Sequence, residues 1–489
     1  MKSLATNRRG MTLVEMLVAT TCTLILMGAI AQVFGAFGTA VSDSRSMIEL
    51  DAQLRSVAWR LRNDLSGATA RTLPPLEVEA GEGYFEVIEG PRSDTKDAGG
   101  TAIPAINLVA DIDDVLLFTT RNTETPYLGR YTSNPATPGT TQTTESQLAE
   151  VAWFLRPTEV PTGTSPPVST YTLFRRQNLV SGYIGFAPFY DAANRNYNTI
   201  PFTTWAGFFD NFDLSAQYQA ANGVLLPNSL ADLTRRENRF MHNAGGVIDA
   251  KAGSFRFPDA LVNSTFQWQA TPAPDGLIFD RTKSSTRVGE DVVLTNVIGF
   301  DVRVFDPGAP VNAAGDTAIV PGDIGFDPAA PPAANGAYVD LGWYPGGYGV
   351  VATSGQRPRF DHLGEPLSGL RPSTATGVRV WDTWSTHYES NGFDDDQDGT
   401  NDEGSNGLDD DKDPQTGLPK PDGKVDESPY DADGDGVLTN VPAGDDPGEL
   451  ETLPPYRFPL RGIEIRLRCY EPSSRQVRQV TIRHSFVPR

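Results

Sequence analysis

From Met11 the chain is apolar without alternation, in the run MTLVEMLVATTCTLILMGAIAQVFGAFGTAV, and Glu15 is its only charge before Asp43. The 26 residues Met16–Val41, as a helix rising ~1.5 Å per residue, cover roughly 39 Å, enough for a ~30 Å hydrocarbon core. From Met47 the pattern changes. Leu50, Leu54, Val57, Leu61, Leu65 and Ala68 follow in steps of three and four, a single helical stripe, with Arg45, Glu49, Arg55, Arg62 and Asp64 mostly off it. Pro74-Pro75 end the pattern. One helix is predicted from about Thr12 to about Thr69, its second half amphipathic and packed on a globular domain. Gly28, Gly35 and Gly38 weaken it and read as small-residue helix packing.

Beyond Pro75 short apolar runs are set in long polar connections. Val115–Thr119, Val151–Leu155, Tyr171–Arg175, Val292–Leu294 and Phe300–Phe305 are predicted strands. Near the end Ile463, Ile465, Leu467 and Cys469 alternate with Glu464, Arg466, Arg468 and Tyr470. After the turn-type cluster Glu471-Pro472-Ser473-Ser474, Val480, Ile482, His484 and Phe486 alternate again, which predicts an antiparallel hairpin. Tyr131–Ser146 and Asp306–Arg371 are rich in Pro, Thr and Gly and are expected to be surface excursions. The stretch from about Tyr183 to Asp280 is expected to be an inserted subdomain, with a short helix around Leu230–Met241. The fold class predicted is α+β, a long N-terminal helix packed on an antiparallel β-sheet domain with long loop insertions.

Charge changes this picture at one place. The formal net charge is −22. Residues 391–451 hold 20 acids and 3 bases, net −17, so the remainder is close to neutral. A basic patch for nucleic acid is not in evidence, and no nucleic-acid partner is expected. The two cysteines, Cys22 and Cys469, are not expected to pair, because one lies in the apolar segment and the other in a late strand. No G-x-S-x-G, P-loop or H-E-x-x-H motif occurs, and the four histidines stand in unrelated contexts, so no enzyme activity is expected.

The acidic segment is patterned. NGFDDDQDGTNDE puts Asp394, Asp396 and Asp398 at alternate positions, then Gly399, Thr400, Asp402 and Glu403. Carboxylates at loop positions 1, 3 and 5, Gly at 6, a backbone carbonyl at 7 and an acid at 9 suit Ca²⁺ coordination. NGLDDDKD repeats the opening with Asp409, Asp411 and Asp413, and DGKVDE follows with Asp422 and Asp426. DADGDG adds Asp431, Asp433 and Asp435. These loops resemble thrombospondin-type or dockerin-like calcium loops more than a paired EF-hand. A solvated acidic linker would scatter its acids; three alternate-Asp sets with placed glycines favour Ca²⁺ as the cofactor.

Lys2, Arg8 and Arg9 precede the apolar run, so the N-terminus is expected to stay cytoplasmic and the rest of the chain to be exported. A secretory signal would place its cleavage site after the apolar core; here Gly10 precedes it. RRGMTLVEML resembles the leader and first mature residues of the type IV prepilin and pseudopilin family. The resemblance implies cleavage by prepilin peptidase between Gly10 and Met11, methylation of Met11, and an assembly role for Glu15 as partner to a neighbouring subunit's new amine. A lone acid in hydrocarbon costs ~3 kcal/mol, which such a partner would offset. The stretches RLRNDLSGAT, AEVAWFLRP, YTLFRRQNL, VLTNVIGFDVRVFD and PLRGIEIRLRCYE are similar in order to the J-type minor pseudopilin of type II secretion and the W-type minor pilin, although the insertions here are a departure.

The expected organisation is therefore a leader at 1–10, a pilin-type helix at 11–72 with its membrane span at about 16–41, a β-rich domain at 73–390, a calcium-binding insertion at 391–451, and a closing hairpin at 452–489. The function implied is that of a minor pseudopilin or minor pilin in a pseudopilus or pilus tip. Its expected partners are other pilins, prepilin peptidase and the bacterial inner membrane. The alternative is a calcium-dependent surface adhesin on a pilin-type anchor.

Overall fold

A computed structural model of the chain describes residues 12–73, 77–90, 94, 109–132, 141–158, 170–181, 190–191, 196–197, 208–209, 211–219, 223–240, 242, 289–315, 317–327, 329–341, 379–383, 385, 387–388, 391–392, 401–402 and 459–487. Two compact units divide the chain. The first contains the chain up to Gln53 together with Tyr470–Arg478. The second contains Leu54–Cys469 and Gln479–Arg489.

A single helix, α1, runs without a break through Leu13–Ser66. Its start is a capping box: Thr12 Oγ1 accepts from the Glu15 backbone N–H at 3.2 Å, and Glu15 Oε2 accepts from Thr12 N–H at 2.8 Å. From Met16 to Val41 the helix is apolar on all sides. Leu13 is 81% and Phe34 73% exposed, and nothing packs on the Cβ positions of Gly28, Gly35 or Gly38. The hydroxyls of Thr20, Thr21 and Thr23 each donate to a carbonyl four residues back, so these side chains carry no unmet donor into an apolar surround. The tip of the late hairpin meets this unit's helix: Ser473 Oγ donates to Ser46 Oγ at 3.2 Å, and Arg478 lies 3.7 Å from Asp51.

In the second unit a sheet of ten strands forms the core. In chain order these are β1 (Phe85–Glu89), β2 (Val115–Arg121), β3 (Leu148–Pro157), β4 (Tyr171–Val180), β5 (Val292–Ala314), β6 (Thr317–Ile319), β7 (Ala334–Val339), β8 (Arg379–Asp382), β9 (Gly462–Glu471) and β10 (Gln476–Ser485). Their order across the sheet is β8-β1-β2-β3-β4-β5-β9-β10, with β6 and β7 also on β5. Every ladder described is antiparallel. The sheet and the single long helix bear out the α+β expectation.

β5 is long because it serves four neighbours, the last being β6 on Asn312–Ala314. Its first residues pair with β4, its middle with β9, and Val304–Val311 with β7, with register shifts absorbing the change of partner. Asn296, at φ 57, sits among these irregularities. Val292–Leu294 and Phe300–Phe305, expected as two strands, are thus one. The surface excursion expected at Asp306–Arg371 is corrected in its first part, where Asp306–Ala314 continue β5 and Ala309 and Val339 are buried. Pro307, Gly308 and Pro310 made that stretch look like loop, but the shift between Asp306 and Pro310 accommodates them. Tyr131–Ser146 holds part of a two-stranded ribbon, Tyr127–Thr132 with Thr141–Ser146, of which the second strand is largely exposed and the first partly buried.

The central strands are buried on both faces. On one face the end of α1 packs through Leu54, Val57, Ala58, Leu61 and Leu65. The predicted stripe is present except at Ala68, which has left the helix and bridges Thr120. Asp64, expected off the stripe, is a correction: it is buried, and Trp153 and Arg175 both donate to it. On the other face lie the described residues between 208 and 242. Phe208 stacks on Phe212, Phe209 meets Phe240 edge-on, and Ser215 Oγ and the Phe240 N–H donate to Glu150. The helix expected around Leu230–Met241 is two 3₁₀ turns, Asp232–Thr234 and Arg236–Asn238, held by buried arginines rather than by a helical apolar face. Arg239 Nη1 donates to Glu86 at 3.1 Å and to Asp382 at 2.8 Å, and its guanidinium lies over the Tyr84 ring.

The closing hairpin, β9 and β10, is as expected. In β9 the polar face is covered too: Glu464 is buried, accepting from Arg466 Nε at 2.7 Å and Arg483 Nε at 2.6 Å.

Candidate functional site

Two regions carry candidate chemistry, the N-terminal helix and a buried cluster of carboxylates where β1 ends and β2 begins. Gly10 and Met11 lie outside the described residues. Glu15 is described: its Oε2 also accepts from Thr12 Oγ1 at 3.0 Å, so both donors of Thr12, the backbone N–H and the hydroxyl, are turned onto this one carboxylate oxygen. α1 is long and apolar enough to cross a membrane.

Of the expected calcium ligands, only Asp402 falls within the described residues. Asp394, Asp396, Asp398, Thr400, Glu403, Asp409, Asp411, Asp413, Asp422, Asp426, Asp431, Asp433 and Asp435 lie outside them. Asp402, at φ 48, takes the Gly392 N–H on both carboxylate oxygens, at 2.8 and 3.0 Å. Asn401 Nδ2 donates to the Gly392 carbonyl at 3.3 Å. The two ends of the first acidic loop are therefore joined.

The carboxylate cluster was not anticipated. Glu89 ends β1, and Asp111, Asp113 and Asp114 lead directly into β2. One carboxylate oxygen from each of Glu89, Asp111 and Asp114 lies within 4.8 Å of the other two. All three residues are buried. Backbone amides fix them: Leu341 N–H donates to Glu89 Oε2 at 3.3 Å, Val302 N–H to Asp114 Oδ2 at 2.6 Å, and Asp113 N–H to Asp111 Oδ1 at 3.5 Å. The second oxygen of each, Glu89 Oε1, Asp111 Oδ2 and Asp114 Oδ1, is buried without a hydrogen-bond partner among the described residues. Gly90 makes the approach possible, since a Cβ there would collide with the Asp113 carboxyl.

The surroundings are acidic. Burial pushes the Glu89, Asp111 and Asp114 carboxyls well above the carboxylate range, and neighbouring carboxylates add to it. Asp301 is pushed up to about 7 by burial, with Arg303 pulling down and Asp340 and Asp94 pushing up. Arg303, fully buried, is a nearby cation, and it is shared among Asp301 (2.9 Å), Asp340 (2.9 Å), Asp323 (2.8 Å) and Asp94 (3.8 Å), while Arg466 also pairs with Asp323. The signal in the sequence was DIDD placed against the apolar run VLLF with no Gly or Pro between. Acids that abut a buried strand without a turn residue have little room to reach water.

Comparison with known proteins bears on the first region. Residues 5–31 match the prokaryotic N-terminal methylation motif, which spans Gly10, Met11 and Glu15. The N-terminus carries a prepilin-type methylation motif. This pilin-type motif supports the type IV pilin and pseudopilin class for the chain, is consistent with membrane anchoring through α1, and points to a structural protein that assembles with other pilins after processing by a prepilin peptidase. No curated protein and no solved structure matches the chain.

Proposed function

We propose that the protein is a minor pseudopilin or minor pilin of the J or W type, a structural subunit near the tip of a type II secretion pseudopilus or type IV pilus. One observation carries this reading. A methylation motif runs directly into a helix unbroken from Leu13 to Ser66, and the last turns of that helix are covered by an antiparallel sheet. The first part of such a helix, apolar on every side, suits a bilayer and then a bundle of like helices. The second part fixes a folded domain to it. In this reading the domain is held outside the cytoplasm, and Glu15 meets the methylated amine of a neighbouring subunit.

The acidic segment 391–451 is proposed to bind Ca²⁺ in loops opened by Asp394, Asp409 and Asp431. Support comes from the alternate-Asp spacing and from Asp402, whose carboxylate already closes the first loop onto Gly392. Chelation is then expected to expose this segment to protease while α1 stays protected.

The test is the mature N-terminus. Expressed with a prepilin peptidase, the chain should begin at Met11 with a methylated amine, and Gly10→Val should leave the precursor uncut. The detergent-extracted mature protein should co-purify with other short-leader pilins. A mature chain that begins at Met1, or a cut after the apolar run, overturns the reading.

A further inference from the structure

We propose that Glu89, Asp111 and Asp114 form a buried binding site for Ca²⁺ in the core of the sheet domain, separate from the acidic segment 391–451. The proposal does not rest on the pilin reading.

Three observations converge on it. The first is spacing. Ligand oxygens on opposite sides of a Ca²⁺ ion, each at ~2.3–2.6 Å, stand about 4.6–5.2 Å apart. Three carboxylate oxygens mutually within 4.8 Å fit around one such ion. The second is pre-organisation. Each of the three carboxylates spends one oxygen on a backbone N–H, from Leu341, Asp113 and Val302, and each keeps the other unpartnered among the described residues. That division resembles a metal site, where outer hydrogen bonds orient the ligands and leave one face of each for the ion. The three amides belong to separate stretches of backbone, before β2, within β5 and after β7, so the fold converges here. The third is charge. A buried carboxylate without a counter-charge is costly, and here three stand together with Asp113, Asp301 and Asp340 around them. Arg303 is already drawn to four other acids. A divalent cation supplies the missing positive charge.

The donor set selects the ion. All three ligands are hard oxygens, with no His or Cys in the group, which disfavours zinc and copper. Mg²⁺ demands near-ideal octahedral geometry and usually keeps several waters, which a buried three-carboxylate site serves poorly. Ca²⁺ tolerates irregular carboxylate sets and completes its shell with backbone carbonyls or a few waters.

The experiment uses the full chain in detergent, stripped with chelator and then titrated with CaCl₂ while thermal unfolding is followed. Two variants separate the two kinds of site. Asp394→Ala/Asp396→Ala/Asp409→Ala/Asp411→Ala/Asp431→Ala/Asp433→Ala disables the acidic loops. Glu89→Gln/Asp114→Asn disables the core site. The loop variant should still gain roughly 3 °C in Tm at a hundredfold excess of Ca²⁺ over Kd. The core variant should lose that increment, yet melt above the wild type in chelator, because two buried repelling charges are gone. If the core variant does not fold, the stoichiometry of radioactive Ca²⁺ bound by the loop variant decides, and one ion per chain is expected. No bound Ca²⁺ and no rise in Tm in the loop variant would mean carboxyls that share protons, and would overturn the proposal. So would a core variant that keeps the whole increment, or a larger shift with Mg²⁺ than with Ca²⁺.

Discussion

Asp64, two residues before the end of α1, and Arg175, in the middle of β4, form a two-pronged ion pair inside the protein. Arg175 Nε donates to Oδ2 at 2.7 Å and Nη2 to Oδ1 at 2.8 Å, with both side chains almost wholly buried. Trp153 Nε1 adds a third donor at 3.1 Å. The pair fixes both the rotation and the axial position of the helix end on the sheet.

Removing one half should therefore cost far more than removing both. Asp64→Ala leaves a buried guanidinium without its counter-charge and should destabilise the domain by about 3–5 kcal/mol. Asp64→Leu/Arg175→Met, which buries apolar groups of similar size, should recover much of that loss. Chemical denaturation of the single and double variants measures the coupling. A double variant no better than the sum of the singles would show that the two side chains do not act together.

The buried group around Glu86 sets an acid limb of stability. Burial alone would raise the Glu86 carboxyl. His242, whose Nε2 lies 3.0 Å away, together with Arg236 and Arg239, brings it down to about 2. A carboxyl held below its unfolded value stabilises the fold fully above the unfolded pKa, near 4.5, and that stability is lost as pH falls toward 2. The contribution is on the order of 3 kcal/mol. Glu150 and Asp382 are shifted upward by burial, so their contributions run the opposite way. The difference between wild type and Glu86→Gln isolates the Glu86 part. It should be largest above pH 4.5 and shrink between 4.5 and 2 in unfolding curves taken across that range.

Cys469 should be inert in the folded protein. It is buried in β9, and burial pushes its thiol up to about 12. At pH 8 that leaves roughly one thiolate in ten thousand. In a Cys22→Ser background, iodoacetamide should label the native protein at least a hundredfold more slowly than the urea-unfolded protein. Equal rates would mean that β9 opens readily.

Glu15→Leu should separate insertion from assembly. The change removes an acid from an apolar segment, so membrane insertion should be undiminished. It also removes the carboxylate proposed to meet a neighbour's amine, and incorporation into sheared filaments or tip complexes should fall about tenfold or more. Immunoblots of membrane and sheared fractions give both quantities. Normal incorporation would deny Glu15 a role in assembly.

What could be read from sequence followed from periodicity. α1 and the β9–β10 hairpin were legible because Leu50–Leu65 and Ile463–Phe486 keep helix and strand spacing over many residues. The Arg236–His242 stretch was not, because its order comes from buried ion pairs with Glu86 and Asp382, which are distant in the chain. Asp64 and the DIDD run were misjudged or passed over for one reason. Asp64 is buried against Trp153 and Arg175, and Asp114 against the Val302 amide, partners far along the chain that alternation cannot show. The methylation motif was legible because its spacing is local.

The sheet order also says how this chain can be edited. β8 lies at one edge and β9 is six strands across, about 29 Å at ~4.8 Å per strand. The link between them, residues 383–461, contains the whole acidic segment. Without 391–451 there remain the 8 residues 383–390 and the 10 residues 452–461, which extended would reach about 60 Å. That is more than enough to cross the sheet. The acidic segment is thus a detachable module by connectivity, and the ladders on either side of it can form without it.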